Sequence, residues 1–192
     1  MNRRSGEDSK KIILNAALKT FSECGYEDAS MRMIAEKAHM SVGGLYLHFE
    51  NKDELCLVMM KGHFEDFLQN VKTAIESAKS PVGAMSAYIK TSIEHTSRHR
   101  ELFLAKSKKQ GFTFGIELKR AFFTKQRDYL EDIIKKGIQS GHFNQCNVKE
   151  TAKIIMSVLR GFIFSMIVDP DNLFLHKECT KLLMKGLLKR NE

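Results

Sequence analysis

Residues 30–49 read SMRMIAEKAHMSVGGLYLHF. Two short helical stretches flank the turn HMS at 39–41, and each opens on a serine, Ser30 and Ser41. A serine hydroxyl at a helix start accepts a hydrogen bond from a backbone N–H that the helix itself cannot satisfy. The spacing predicts one helix over about 31–38, with Ile34, Ala35 and Ala38 facing inward, and a second over about 42–48. The second is a poor core helix, short and weakened by Gly43 and Gly44. Two such helices joined by a tight turn form a helix-turn-helix, whose second helix enters the major groove of DNA. The glycines then have a reason, because small residues let that helix start approach base edges and phosphates closely.

Working outward, almost every segment has helical period and none alternates as a strand does. Ile13, Ala17 and Phe21 share one stripe of a helix over 8–24, with Leu14 and Leu18 beside it and Gly25 as its stop. FENKDEL at 49–55 leads into a long helix from about 52 to 78. Helices follow over about 81–97, with Pro81 in the first turn, and 115–139, stopped by Ser140 and Gly141. A weaker, lysine-rich segment lies between them at 100–110, ended by Gly111. The last two helices are expected over 147–168 and 172–189, separated by Asp169-Pro170. The fold class is therefore all-α, with a three-helix helix-turn-helix domain over 1–52 and a second helical domain over 53–192; the resemblance described below implies that the second binds ligand and dimerises.

The chain has 192 residues, 43% hydrophobic and 28% charged, which suits a folded domain with its own core. Its net charge is +8. Residues 1–52 carry eight basic and seven acidic side chains, against 23 and 16 in the rest. Bulk charge therefore does not mark the amino-terminal region as a polyanion binder, and any DNA recognition there rests on local geometry. The cysteines Cys24, Cys56, Cys146 and Cys179 are far apart, which argues against a zinc knuckle or disulfide scaffold and suits a reducing cytoplasm. No signal peptide or membrane-spanning run is read, and FIFSMIV at 162–168 is far short of about 20 residues. There is no nucleophile elbow, phosphate loop, zinc-protease motif or dinucleotide fingerprint, so no enzyme activity, cofactor or resident metal is expected.

Residues 10–55 resemble the DNA-binding domain of the TetR family of transcriptional regulators. The pattern runs through Ile13-Leu14, Ala16-Ala17, Phe21, Gly25-Tyr26, Ser30-Met31-Arg32 and Ile34-Ala35. It continues through Ala38, Ser41, Gly44-Leu45-Tyr46, His48-Phe49 and Lys52-Asp53-Glu54-Leu55. The resemblance implies that Ser30, Ser41, Tyr46, His48 and Lys52 bind phosphates, helped by backbone amides at the helix starts. It places Arg32, Val42, Gly43 and Leu47 near base edges, where Arg32 can pair with guanine and Val42 and Leu47 can touch thymine methyls. Two positions depart from the family pattern. His39 stands where glycine is usual, so a histidine is expected at positive φ. Met33 stands where an acid that completes the cap is usual.

The resemblance further implies a cytoplasmic homodimer, most simply a repressor released from a palindromic operator by an apolar small molecule. The dimer would form through 147–168 and 172–189 as a four-helix bundle. In IIMSVLRGFIFSMIV, 154–168, the helix is apolar nearly all round, and a second subunit would supply the missing neighbours. Met85, Tyr88, Phe103, Phe122 and Met156 suit an adaptable apolar pocket, with Gln126 and Arg160 as polar anchors. The same residues also read as plain core. Arg160 would need a ligand anion, or Glu131 or Asp128, as partner. The long helix from Lys52 is the expected lever between pocket and DNA. Two other readings stand beside this one: control by a protein partner or by oxidation of Cys24 or Cys56, and a helical metal protein using His95 and His99. Those two histidines are four apart, but a polar, solvated helix end is the simpler expectation for them.

Overall fold

In the computed structural model, residues 6–99 and 114–188 are described. The elements in chain order are α1 (Gly6–Asp28), α2 (Met31–Lys37), α3 (Val42–Tyr46), α4 (Lys52–Glu76), α5 (Pro81–Arg98), α6 (Ile116–Gln139), α7 (Val148–Val168), a 3-10 turn (Pro170–Asn172) and α8 (His176–Leu187). Among the described residues the only β feature is an isolated bridge between Phe143 and Leu188. The expectation of an all-α protein is met. The segment expected at 100–110 lies outside the described residues.

The chain forms two compact units. The first is built on α1, α2, α3 and the start of α4. Ile13, Ala17 and Phe21 of α1 are buried with Ile34 and Ala35 of α2, Leu45 of α3, and Phe49 and Leu55. The predicted stripes of three separate helices thus meet in one small core. Gly25 does stop the regular helix: its φ of 79° bends the chain, so Tyr26 turns back against Phe21 at a centroid distance of 5.4 Å. The turn into α4 is fixed by Asn51, whose Oδ1 accepts from the Glu54 amide at 2.8 Å. Glu54 in turn reaches back to the amide of Glu50 at 2.6 Å.

The second unit gathers the rest of α4 with α5, α6, α7 and α8. α5 packs on both α7 and α8, and its Met85, Tyr88 and Ile89 are fully enclosed. Leu130, Ile133 and Ile134 of α6 and Ile155 of α7 complete this core. Gly137 of α6 makes room for Phe143; a Cβ there would stand 2.0 Å from the Phe143 ring.

α7 is not surrounded by its own chain, in keeping with the expectation: Ile154, Phe164 and Val168 are exposed. Three expectations are corrected here. The last helix does not begin at 172 but at His176, because a 3-10 turn and an extended link through Leu175 follow Pro170. Arg160 is not enclosed. Its guanidinium lies 4.0 Å over the Phe123 ring, while Glu131 takes Arg127 and Lys135 instead. Finally, His95 is not solvated. It is 2% exposed, with the Phe67 ring edge-on to it at 5.2 Å.

Candidate nucleic-acid interface

α2 and α3 begin as the sequence requires. Ser30 Oγ accepts from the Met33 amide at 3.2 Å, and Ser41 Oγ accepts from the Gly44 amide at 3.0 Å. Between the helices the chain reverses at His39, whose φ is 54°. The His39 amide donates to the Glu36 carbonyl and the Met40 amide to the Ala35 carbonyl, both at 3.0 Å. A histidine thus occupies the left-handed conformation where a glycine would be unstrained.

Once α3 is anchored by Leu45, which is fully buried, its other side must face outward. Val42 is 37%, Tyr46 51% and Leu47 87% exposed, and Gly43 and Arg32 are also exposed. The two glycines differ. A Cβ on Gly44 would come 3.1 Å from Ser41 Oγ, so Gly44 serves the cap. A Cβ on Gly43 would meet nothing within 4 Å, so nothing in the chain demands glycine there. Its small size matters only to a body approaching from outside.

Of the residues expected to bind phosphate, Ser30, Ser41 and Tyr46 are exposed and His48 is half-buried. Lys52 is placed differently. Its Nζ donates to the carbonyls of Tyr26 at 2.6 Å, Glu27 at 3.1 Å and Ala29 at 2.7 Å, and lies 4.4 Å over the Tyr26 ring. Tyr26 also donates its hydroxyl to Asp53. An ammonium has three protons, and all three are directed to backbone oxygens at the end of α1. Lys52 therefore ties α1 to α4 rather than pointing outward. Met33, which replaces the usual capping acid, is a further outward residue, 40% exposed next to Arg32 in the chain.

The expected pocket residues do not gather around one opening. Met85, Tyr88 and Gln126 are buried in packing, with Tyr88 donating to Gln126 Oε1 at 3.2 Å. Burial raises the Tyr88 phenol well above its ordinary range, so it stays neutral. Phe122 stacks on Phe64 at 4.1 Å, and Phe103 lies outside the described residues. Met156 and Arg160 instead line an open cleft of about 540 Å³ between α6 and α7, with Arg120, Phe123, Arg127 and Lys153. The signal for it was present: Arg120 and Arg127, like Lys153 and Arg160, are seven apart, and so share a face two turns on.

A family description, bacterial regulatory proteins of the tetR family, matches residues 13–59. The uncharacterized HTH-type transcriptional regulator YhgD of Bacillus subtilis (strain 168) is 27% identical over 172 residues, 82% of this chain and 83% of that protein. Among solved structures, the fatty acid degradation regulator FadR from Bacillus halodurans superposes with a TM-score of 0.81 at 18% identity, covering 98% of this chain and 100% of that one. The transcriptional regulator FadR from Bacillus subtilis, in complex with stearoyl-CoA, superposes with a TM-score of 0.78 at 19% identity, covering 92% and 98%. These structural likenesses establish the fold. No helix among the described residues is long and apolar enough to cross a membrane.

Proposed function

Because the chain belongs to the tetR family of bacterial regulatory proteins, a ligand-responsive DNA-binding regulator, we propose that it is a homodimeric repressor. Its ligand in this reading is a small molecule with an apolar part and an anionic part. The observation that carries the DNA half is the outward face of α2 and α3. Arg32, Val42, Gly43, Tyr46 and Leu47 are exposed there while the serine caps hold the backbone beneath them. Tyr46 and the serines fix register on phosphates, and Arg32 reads a guanine. Two such faces, related by a two-fold axis, meet half-sites about 34–36 Å apart or a multiple of that.

The dimer reading is supported by Ile154, Phe164 and Val168 on α7 and Leu182 on α8, exposed by 60%, 67%, 63% and 73%. Large apolar side chains exposed on the last two helices suit a partner surface. The ligand reading rests on the cleft between α6 and α7, where Met156 and Phe123 offer apolar contact and three arginines and a lysine offer positive charge. The stearoyl-CoA bound by the Bacillus subtilis regulator has that combination of chemistry. A ligand releases DNA only as far as it prefers the non-binding state; a hundredfold loss of operator affinity needs about 2.7 kcal/mol of coupling. Control by thiol oxidation has less support, since Cys56 is buried and Cys24 Sγ donates to the Thr20 carbonyl at 3.1 Å.

The test is selection of binding sites from random duplex DNA, followed by displacement with long-chain acyl thioesters and with uncharged apolar compounds. A palindromic site released only by the anionic class is expected. A monomer without affinity for duplex DNA in dilute salt would end the proposal, and release only by uncharged compounds would end its ligand half.

A further inference from the structure

We propose that the cleft between α6 and α7 holds its ligand by a phosphate group, bound at one end by Arg120 and Arg160. The inference rests on the ligand reading of that cleft given above and names the anion. The residues that line both walls lie in the second unit, and they follow one pattern. On α6, Arg120 is followed at three, four and seven residues by Phe123, Thr124 and Arg127. On α7, Lys153 is followed at the same intervals by Met156, Ser157 and Arg160. Those intervals put each set on one helix face. Each wall thus offers a cation at either end, with an apolar side chain and a hydroxyl between.

The two ends differ in charge. The link of residues 140–147 spans at most about 28 Å. That is less than the length of α6, roughly 36 Å, so α7 runs back along α6. The Arg160 guanidinium lies 4.0 Å over the Phe123 ring, which fixes the register. Arg160 then shares an end with Arg120, and Lys153, two turns earlier, falls on the Arg127 side. At that second end both cations are compensated: Arg127 Nε is 3.7 Å from Glu131 Oε1, and Lys153 Nζ is 2.7 Å from Glu150 Oε1. Arg120 and Arg160 have no carboxylate partner among the described residues. An anion is therefore held best at the Arg120 end. Stacking on Phe123 occupies the face of the Arg160 guanidinium and leaves its in-plane N–H donors free. The donors exceed what a carboxylate accepts, since two guanidiniums and the Thr124 and Ser157 hydroxyls would meet only two oxygens. A phosphate monoester brings three oxygens and a charge of about −1.5 to −2 at pH 7. It matches two cations where a carboxylate matches one.

The full chain is titrated by calorimetry with octyl phosphate, octanoate and octanol, each below its aggregation concentration. Octyl phosphate should bind about tenfold more tightly than octanoate, or better. Arg120→Gln and Arg160→Gln should each weaken octyl phosphate by about tenfold and bring the two anions to near-equal affinity. Lys136→Gln, at an exposed position outside the cleft that pairs with Asp132, should change neither. Circular dichroism checks that each variant is folded. Adenosine 5′-phosphate, as a second arm, separates a nucleotide source from a lipid one, and the more tightly held of the two phosphates names the source. Equal affinity of the unaltered protein for octyl phosphate and octanoate, or a phosphate preference that survives both arginine substitutions, would overturn this inference and leave the anionic-ligand reading standing. Binding of octanol alone, or of no probe, would end both.

Discussion

Replacing Lys52 by methionine separates the two roles this side chain can have. In the structure its ammonium makes three hydrogen bonds to carbonyls at 2.6–3.1 Å and covers the Tyr26 ring. Hydrogen bonds to a charged group contribute about 1.5–3 kcal/mol each when enclosed. Lys52 is half-exposed and water can reach the freed carbonyls, so about 1 kcal/mol each is the better figure. The cation–ring contact adds about 0.5 kcal/mol at such a site. The loss is then about 3.5 kcal/mol, or a fall in melting temperature of roughly 7–14 °C for a chain of this size. The chain has no tryptophan, so unfolding is followed by circular dichroism at 222 nm. Operator affinity is measured by fluorescence anisotropy over a range of salt, well below the variant's melting temperature. Each phosphate contact contributes about 0.9 to the slope of log affinity against log salt. If Lys52 were spent on phosphate, a dimer would lose about 1.8 from that slope. The expected result is a destabilised protein with its salt slope intact. A variant of normal stability whose slope falls by that amount would refute the assignment of Lys52 to the α1 carbonyls.

Arg32→Ala should cost about 1–3 kcal/mol at one base position and relax preference there, while Tyr46→Ala weakens all sequences alike and lowers the salt slope; selection on randomised operators distinguishes the two. Gly137→Ala places a methyl against the Phe143 ring and should destabilise by about 2–3 kcal/mol in urea unfolding, with partial recovery when Phe143→Leu is added. Phe164→Glu combined with Leu182→Glu should leave a folded monomer by light scattering, since both side chains are exposed within the chain, and operator affinity should fall with the lost dimer.

What was legible in the sequence was what is decided locally. The serine caps, the stop at Gly25 and the positive φ at His39 each depend on a few neighbouring residues, and each was found where it was expected. The outward face of α3 was also readable, because Leu45 and Phe49 fix which side is buried. Lys52 was not, since four rotatable bonds let its ammonium choose between solvent and carbonyls 23 to 26 residues away in sequence. The polar neighbourhood EHTSRHRE suggested a solvated helix end, but Phe67, on another helix, covers His95. The pocket residues were chosen for being aromatic or flexible, and those properties describe a packed core equally well. Only the spacing of Arg120, Arg127, Lys153 and Arg160 distinguishes the open cleft.

The turn at His39 has a consequence for how this protein can change over generations. An ordinary L-residue held at a φ of 54° gives up about 1 kcal/mol relative to a residue indifferent to that conformation. Glycine there would recover part of this, less its own greater freedom when unfolded. His39 is exposed in the turn between α2 and α3. A single exchange at that spot could therefore absorb a harmful substitution in the core, leaving the outward residues untouched. The lineage holds a small reserve of tolerance at its tightest bend.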